Sequence, residues 1–296
     1  MNKPLVSIVM ITYGHEKYIT DAINGVLMQD CNFDLELIIS NDSSPDKTDL
    51  IVKNIIKNNQ RAFKIIKYIK HEKNIGMTPN FIFAMKQCTG KYIALCDGDD
   101  YWTDKNKLQT QVNFLEVNCN YVLIFHKILI LNTDGKITED LITKVPENHE
   151  TQENLALLGN YIHTPSVVFR NCIEEFPFEF SQTQINDYFL YMMLTEKGKL
   201  KYIPEVMAIY RQGVGVISKM SYANRFISEI NCYSCIASYS TDNNIKKIFF
   251  NRQKDVIVKM ERLLNKENQN YFINKNIALK VTLSLINRFN KFRSSI

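Results

Sequence analysis

The sequence predicts an α/β protein: a doubly wound, mostly parallel sheet flanked by helices, with a helical extension at the C-terminus. Three observations predict it. Short β-branched apolar runs alternate with segments of helical spacing through the first 125 or so residues, the pattern of successive βαβ units. The acids Asp97, Asp99 and Asp100 directly follow one of these runs, and sheets of this kind hold ligands at the carboxyl ends of their strands. From Ser221 to Ile296 there is neither Pro nor Gly, and the spacing is helical throughout.

Taken in order, residues 5–11 are a run of strand length, broken by Thr12, Tyr13, Gly14 and His15. Residues 16–29 place Tyr18, Ile19, Ala22, Ile23, Val26 and Leu27 at helical spacing. A second strand is expected over 35–40, ended by turn chemistry from Asn41 to Asp46. A helix over 48–59 and a third strand over 63–69 follow. A polar loop, 71–76, leads to a helix over 79–88, with Thr78 as N-cap and Pro79 at its first position. Residues 92–95 form the strand before the acids, then a helix over 107–117 and a strand over 121–125. Periodicity is weak from 127 to 150. A strand over 164–170, a helix over 185–197, a strand over 201–210 and a Gly-containing loop over 211–216 complete the pattern.

With 296 residues, 45% hydrophobic and 23% charged, the chain is an ordinary globular one that can bury a sizeable core. Its net charge of +5 is mild and its basic residues are scattered, which does not imply nucleic-acid binding and suits an anionic substrate. No run approaches the roughly 18–20 apolar residues of a membrane span. The first residues lack the apolar region of a signal peptide, so a cytoplasmic location is expected. Of the seven cysteines only Cys232 and Cys235 show CxxC spacing, without the second pair that zinc needs, and are expected on one face of a helix. Segment 277–293, with Lys280, Arg288, Lys291 and Arg293, reads as a helix packed on the main domain; a partner surface or a peripheral membrane contact stays open.

Three carboxylates within four residues repel and raise one another's pKa unless they share a cation. Hard oxygen donors suit Mg²⁺ or Mn²⁺, which bind through one or two carboxylates plus substrate phosphates. The stretch is therefore expected to make a divalent-metal site for a nucleoside diphosphate, the plain alternative being an acidic turn that caps the next helix. The topology brings Thr12, Tyr13, Asp42, Asp97 and Asp99 to one sheet edge.

Val6 to Tyr13, then Asn41-Asp42-Ser43-Ser44, Asn74-Ile75-Gly76 and Asp97-Gly98-Asp99-Asp100, resemble in order and spacing glycosyltransferase family 2, whose members have the GT-A fold. The resemblance covers roughly residues 4–217 and is strongest over the first 110. It implies a catalytic domain over 1–220, with a nucleotide-binding half (1–110) and an acceptor-binding half (111–220), and a helical extension over 221–296. It also implies a metal-dependent, inverting transfer of a sugar from a nucleotide-sugar donor, a UDP-sugar first, to a hydroxyl of a glycan or lipid-linked acceptor in polysaccharide biosynthesis. The cofactor would be Mn²⁺ or Mg²⁺. Carried over by position, Thr12 and Tyr13 contact the base and ribose, Asp42 the base, and Asn74 and Gly76 the base and diphosphate. Asp97 and Asp99 are the DxD pair, Asp99 the direct metal ligand and Asp97 nearer the ribose or a metal-bound water. Asp100 orients the sugar, Asp187 is the catalytic base, and Arg211, after Tyr210, precedes a loop over the diphosphate. Trp102 packs beneath the site.

One departure stands out. Relatives often carry a His shortly after the Tyr-Arg pair, whereas Gln212-Gly213-Val214-Gly215 follows Arg211 here. A third protein ligand is therefore not supplied by the resemblance, and water and phosphate would complete the shell. His126 and His163 each read as core or acceptor-pocket residues, His163 being the better placed for the acceptor. Among rivals, a nucleotidyltransferase wants a Gly-rich basic loop after the first strand, and a Rossmann oxidoreductase wants GxGxxG there; neither is present. A non-catalytic scaffold of the same fold, a homodimer, and attachment at the inner face of the membrane stay open.

Overall fold

Strand β1 (Val6–Thr12) lies near the centre of the sheet, buried almost along its whole length, as its mostly apolar run requires. The computed structural model describes residues 3–140, 143–215 and 217–267, and the chain divides into two compact units, Met1–Met220 and Ser221–Ile296.

In the first unit β1 is followed by α1 (Ile19–Leu27), β2 (Leu35–Asn41), α2 (Thr48–Asn58), α3 (Gln60–Ile65), β3 (Ile66–Lys70), α4 (Met77–Lys86) and β4 (Tyr92–Leu95). Four strands here are parallel: β3 on β2, β2 on β1 and β1 on β4, with Met10 opposite Ile39 and Ile8 opposite Ala94. The third strand starts later than its sequence suggests, because the Asn59 side chain accepts from the Ala62 N–H at 3.0 Å and caps a helical turn over Gln60–Ile65. Helix α4 starts at Met77 behind Gly76 (φ +93), and the Thr78 hydroxyl, expected as the cap, donates to the Thr183 carbonyl at 3.0 Å instead.

The second half runs through β5 (Tyr101–Trp102), α5 (Lys107–Val117), β6 (Tyr121–Leu131), β7 (Ile137–Glu139), α6 (Gln152–Leu158), β8 (Val168–Arg170), α7 (Phe178–Ser181), α8 (Asn186–Thr195) and β9 (Lys199–Arg211). It is mixed: β8 runs antiparallel between β4 and β6, β9 is parallel to β6, and β5 and β7 join antiparallel. The sheet order is β3-β2-β1-β4-β8-β6-β9-β5, with β7 on β6. Residues 164–166 form a short 3₁₀ turn containing Pro165, so the expected strand there shrinks to Val168–Arg170. β6 and β9 run longer than the sequence pattern suggests. Their register shifts where His126 faces Ile203 and Lys127 faces Val206, which leaves Pro204 in a bulge where no ladder N–H is needed.

One apolar core joins these layers, with Ile8, Met10, Ile23, Val26, Ile39, Tyr92 and Trp102 among its buried members. At Gly25 of α1 the helix lies close on the sheet: a Cβ there would lie 2.8 Å from the backbone nitrogen of Trp102. Trp102 itself is buried, its indole N–H donating to the Pro165 carbonyl at 2.8 Å and the Lys107 ammonium lying 4.2 Å from its ring centroid.

The second unit holds α9 (Tyr222–Tyr239) and α10 (Asn243–Glu267). Ser221 caps α9 through the Asn224 N–H, and Asp242 accepts from the Asn244 N–H at 2.7 Å, which stops and restarts the helical run without Pro or Gly. Cys232 and Cys235 are both buried on α9. The basic segment 277–293 lies outside the described residues. Among the described residues no helix is long and apolar enough to cross a membrane.

Candidate active site

After Leu95 the chain continues alongside β1, the Cys96 N–H donating to the Val9 carbonyl and the Gly98 N–H to the Ile11 carbonyl, both at 3.0 Å. The Asp100 N–H then donates to the Asp97 carbonyl at 3.1 Å and closes a tight turn into β5. Gly98 is required in that turn, since a Cβ would stand 2.7 Å from Thr12 Oγ1 and 2.9 Å from His15 Nδ1. Three carboxyls thus leave one turn at the sheet's carboxyl edge, with Asp99 only 8% and Asp100 2% exposed.

Asp187 arrives from elsewhere. It sits in the first turn of α8, whose start is tied to the start of α4 by the Asn186 Nδ2 donating to Thr78 Oγ1 at 2.8 Å. Its carboxylate accepts from the Tyr188 N–H at 2.8 Å and from Asn160 Nδ2 at 3.0 Å. Asp97, Asp99, Asp100 and Asp187 line one cavity of about 330 Å³, together with His163 and Tyr210. Burial pushes the Asp97 carboxyl well up, and the charges of Asp99 and Asp187 add to it. Burial and Asp99 likewise raise Asp100, against the Arg211 N–H that donates to its Oδ1 at 2.8 Å. Asp187 is raised by burial, opposed by its two hydrogen bonds and by His163.

The strand-end residues form a second cluster. The Asp42 N–H donates to the Thr12 carbonyl at 2.9 Å, and the buried Asp42 carboxylate accepts from the Ile75 N–H at 2.7 Å and the Gly76 N–H at 2.9 Å. Asn74 Nδ2 donates to the Asp42 carbonyl at 3.3 Å. Asp42 therefore fixes the Asn74–Gly76 loop with both oxygens. Tyr13, next to Thr12 in the chain, stands 48% exposed. The loops after β1 and β2 are latched: Gly14 N–H to Ser44 Oγ, His15 N–H to Thr48 Oγ1, and Glu16 N–H to Asp46 Oδ2. Ser43 is held at φ +57, a left-handed conformation that a non-glycine residue keeps only when its surroundings impose it.

Arg211 is turned toward the protein. Its guanidinium donates to the Asp99 carbonyl at 2.7 Å and to Asp21 Oδ2, and lies over the rings of Tyr101 (4.6 Å) and Tyr18 (5.0 Å). The structure thus joins Thr12, Asp42, Asn74 and Gly76 in one cluster, with Tyr13 exposed next to Thr12 in the chain, and Asp97, Asp99, Asp100 and Asp187 around one cavity, with Arg211 bracing the acid turn from behind. His126 is a core residue, Nδ1 donating to the Lys127 carbonyl at 2.8 Å, whereas His163 faces the cavity, pairs with Asp140 at 2.8 Å and lies against Tyr210.

Sequence reasoning missed Asn160, Asp140 and His15. Asn160 and Asp140 come from the weakly periodic stretch and its sequel, where no local signal marks them. His15 had one: a ring nitrogen three residues beyond a strand end that also carries Thr12. Its imidazole packs on Gly98, Nδ1 lies 3.2 Å from Thr12 Oγ1, and Nε2 is 3.9 Å from Asp99 Oδ2. Burial lowers its pKa, against the pull of Asp99 and Asp46.

These residues fit a divalent cation. The donors at the turn are hard oxygens, two of them raised above their ordinary pKa by burial and by the charge of neighbouring acids, and the Arg211 guanidinium is committed to Asp21 and a carbonyl. Among the described residues no group of three or more His, Cys, Asp or Glu side chains is arranged to hold a metal, so phosphate and water would complete the shell.

The model of the family described as Glycosyl transferase family 2 matches residues 7–214. An uncharacterized protein of Mycobacterium tuberculosis is 31% identical over 222 residues, covering 74% of this chain and 62% of its own length; this chain thus spans about three fifths of that relative. A Bacillus subtilis protein bearing the name of a teichuronic acid biosynthesis glycosyltransferase, TuaG, is 34% identical over 120 residues, 40% of this chain and 45% of its own. Among solved structures, S. aureus TarS in complex with UDP-GlcNAc superposes with a TM-score of 0.60 at 18% identity, over 82% of this chain and 70% of that one. The mannosyltransferase PcManGT from Pyrobaculum calidifontis, in complex with GDP-Man and Mn²⁺, gives 0.62 at 12%, over 99% and 83%. These likenesses establish the GT-A fold.

Proposed function

The chain belongs to glycosyl transferase family 2, and we propose that it moves a sugar, with inversion, from a nucleoside-diphosphate donor to a hydroxyl of a glycan or lipid-linked acceptor. The observation that carries this reading is the convergence of four carboxylates, three from one turn and Asp187 from α8, on one cavity of about 330 Å³. That volume lies at the lower end of small-molecule sites, about 300–1,000 Å³.

Asp187 is the general base. A carboxylate whose pKa burial raises accepts a proton from the attacking hydroxyl better than an ordinary one, and its bonds from Asn160 and Tyr188 fix its direction. Asp99 and Asp97 hold the divalent cation, Mn²⁺ or Mg²⁺, which when bound supplies charge stabilisation to the departing diphosphate. Asp100, buried and anchored by the Arg211 N–H, orients the sugar. Thr12, Tyr13, Asp42 and the Asn74–Gly76 loop receive the nucleoside, with UDP as the first candidate. Its use in polysaccharide assembly is supported by the name of the Bacillus relative. A place on the cytoplasmic side, with peripheral contact to an anionic membrane, is supported by the net charge of +5.

The test is thermal denaturation of the full chain with UDP, GDP, dTDP or CMP, each with and without Mn²⁺. One nucleotide at 100 times its Kd stabilises by about 2.7 kcal/mol, which raises Tm by roughly 5–10 °C. That rise should need Mn²⁺ and vanish in Asp99→Ala. No shift with any nucleotide, with metal or without, overturns the donor site.

A further inference from the structure

We infer that His15 is a protein ligand of the divalent cation, sharing it with Asp99; the assignment rests on the donor reading above. Its placement is built from three sides. Gly14, at φ +72, turns the chain off β1. The His15 N–H donates to Thr48 Oγ1 at 3.0 Å, and its carbonyl accepts from the Tyr18 and Ile19 N–H groups at 2.9 Å each, at the start of α1. The imidazole then lies on the bare backbone of Gly98, midway between Asp97 and Asp99, where any Cβ would collide with Nδ1 at 2.9 Å.

Its two nitrogens face different partners. Nδ1 lies 3.2 Å from Thr12 Oγ1 and Nε2 3.9 Å from Asp99 Oδ2. The second separation is too long for a hydrogen bond. Donors at about 2.0–2.1 Å from one Mg²⁺-sized cation lie about 3.0 Å apart as adjacent ligands and about 4.2 Å apart as opposite ones, so Nε2 and Asp99 Oδ2 reach one ion as adjacent ligands after closing by about 1 Å. A metal-ligating histidine has its other ring nitrogen fixed by a hydrogen bond; here Nδ1 lies within hydrogen-bond distance of Thr12 Oγ1, which leaves Nε2 facing Asp99. The loop that reaches Asp99 from the other side supplies no such donor. Residues 212–220 include no His, Asp or Glu, and Gly215 stands where a Cβ would be 3.7 Å from Asp99 Oδ2. The ion then has Asp99 and His15 as its direct side-chain ligands, with Asp97 reaching it through a bound water.

The test is pulsed electron paramagnetic resonance of Mn²⁺ bound to the full chain with UDP. Nitrogen hyperfine modulation from a coordinated imidazole is expected in the native protein and absent in His15→Gln. The Mn²⁺ Kd of the UDP complex should rise about tenfold or more in that variant, with its metal-free Tm checked to show that it folds. Bound Mn²⁺ without nitrogen modulation in the native protein overturns this inference alone, and does so without any variant. Modulation that persists in His15→Gln assigns the nitrogen elsewhere and overturns it too. A native protein that binds no Mn²⁺ with any nucleotide overturns both this inference and the donor reading.

Discussion

At the scale of single residues the acids divide by their surroundings. Asp97, Asp99 and Asp100 leave one turn and share one field, whereas Asp187 stands across the cavity with hydrogen bonds of its own. Replacing Asp187 by Asn removes the proposed proton acceptor while keeping much of its shape. We expect kcat to fall about 10²–10⁴-fold, with the donor KM little changed, in a steady-state assay of nucleotide release. The pH profile tests the same role. A base works only when deprotonated, so activity falls as pH drops through its pKa. Burial raises that pKa, which places the acid limb above the ordinary carboxylate value of about 3.9. A limb at the ordinary value would assign the base elsewhere. The motif acids were legible because three like charges in four residues are conspicuous in any chain. Asn160 and Asp140 were not, because each matters only through a partner 27 or 23 residues away.

At the scale of elements the site depends on how closely α1 approaches the strand that follows the acid turn. Gly25 makes this approach possible, and a methyl group there would press on the backbone nitrogen and oxygen of Trp102 at 2.8 and 3.0 Å. Backbone atoms held in β5 cannot swing aside. Gly25→Ala therefore combines a helix-propensity gain of about 0.5–1 kcal/mol with an overpacking cost of about 1–3 kcal/mol. A net loss of stability in urea unfolding is expected, and a net gain would show that α1 can shift. Helix and strand spacing predicted most elements of the first unit, since periodicity is a local property. It failed at residues 60–65, where one Asn cap turned the start of an expected strand into a helix. It also fell short at β6, whose outer half is strand because it pairs with β9 and β7.

At the scale of the whole chain the acid turn is held by a residue far along the sequence. Arg211 joins the Asp99 carbonyl to Asp21 of α1, contacts spanning 112 and 190 positions, and stacks between two tyrosines. Lysine keeps the charge but not the planar fork. Arg211→Lys is expected to lose about 1–3 kcal/mol of stability and to weaken Mn²⁺-dependent UDP binding by calorimetry; unchanged binding would show that the acid turn holds its shape unaided. The sequence alone determined the α/β alternation, the sheet edge where the loops after β1, β2 and β4 gather and the crowding of acids there, because periodicity and charge are written in neighbouring residues. The tertiary structure decided which groups meet: Asp187 with Asn160, His15 with Asp99, and Arg211 behind the turn. It also decided that the sheet becomes mixed beyond β4. Those outcomes follow from packing and hydrogen bonding between segments tens to hundreds of residues apart, which no local pattern encodes.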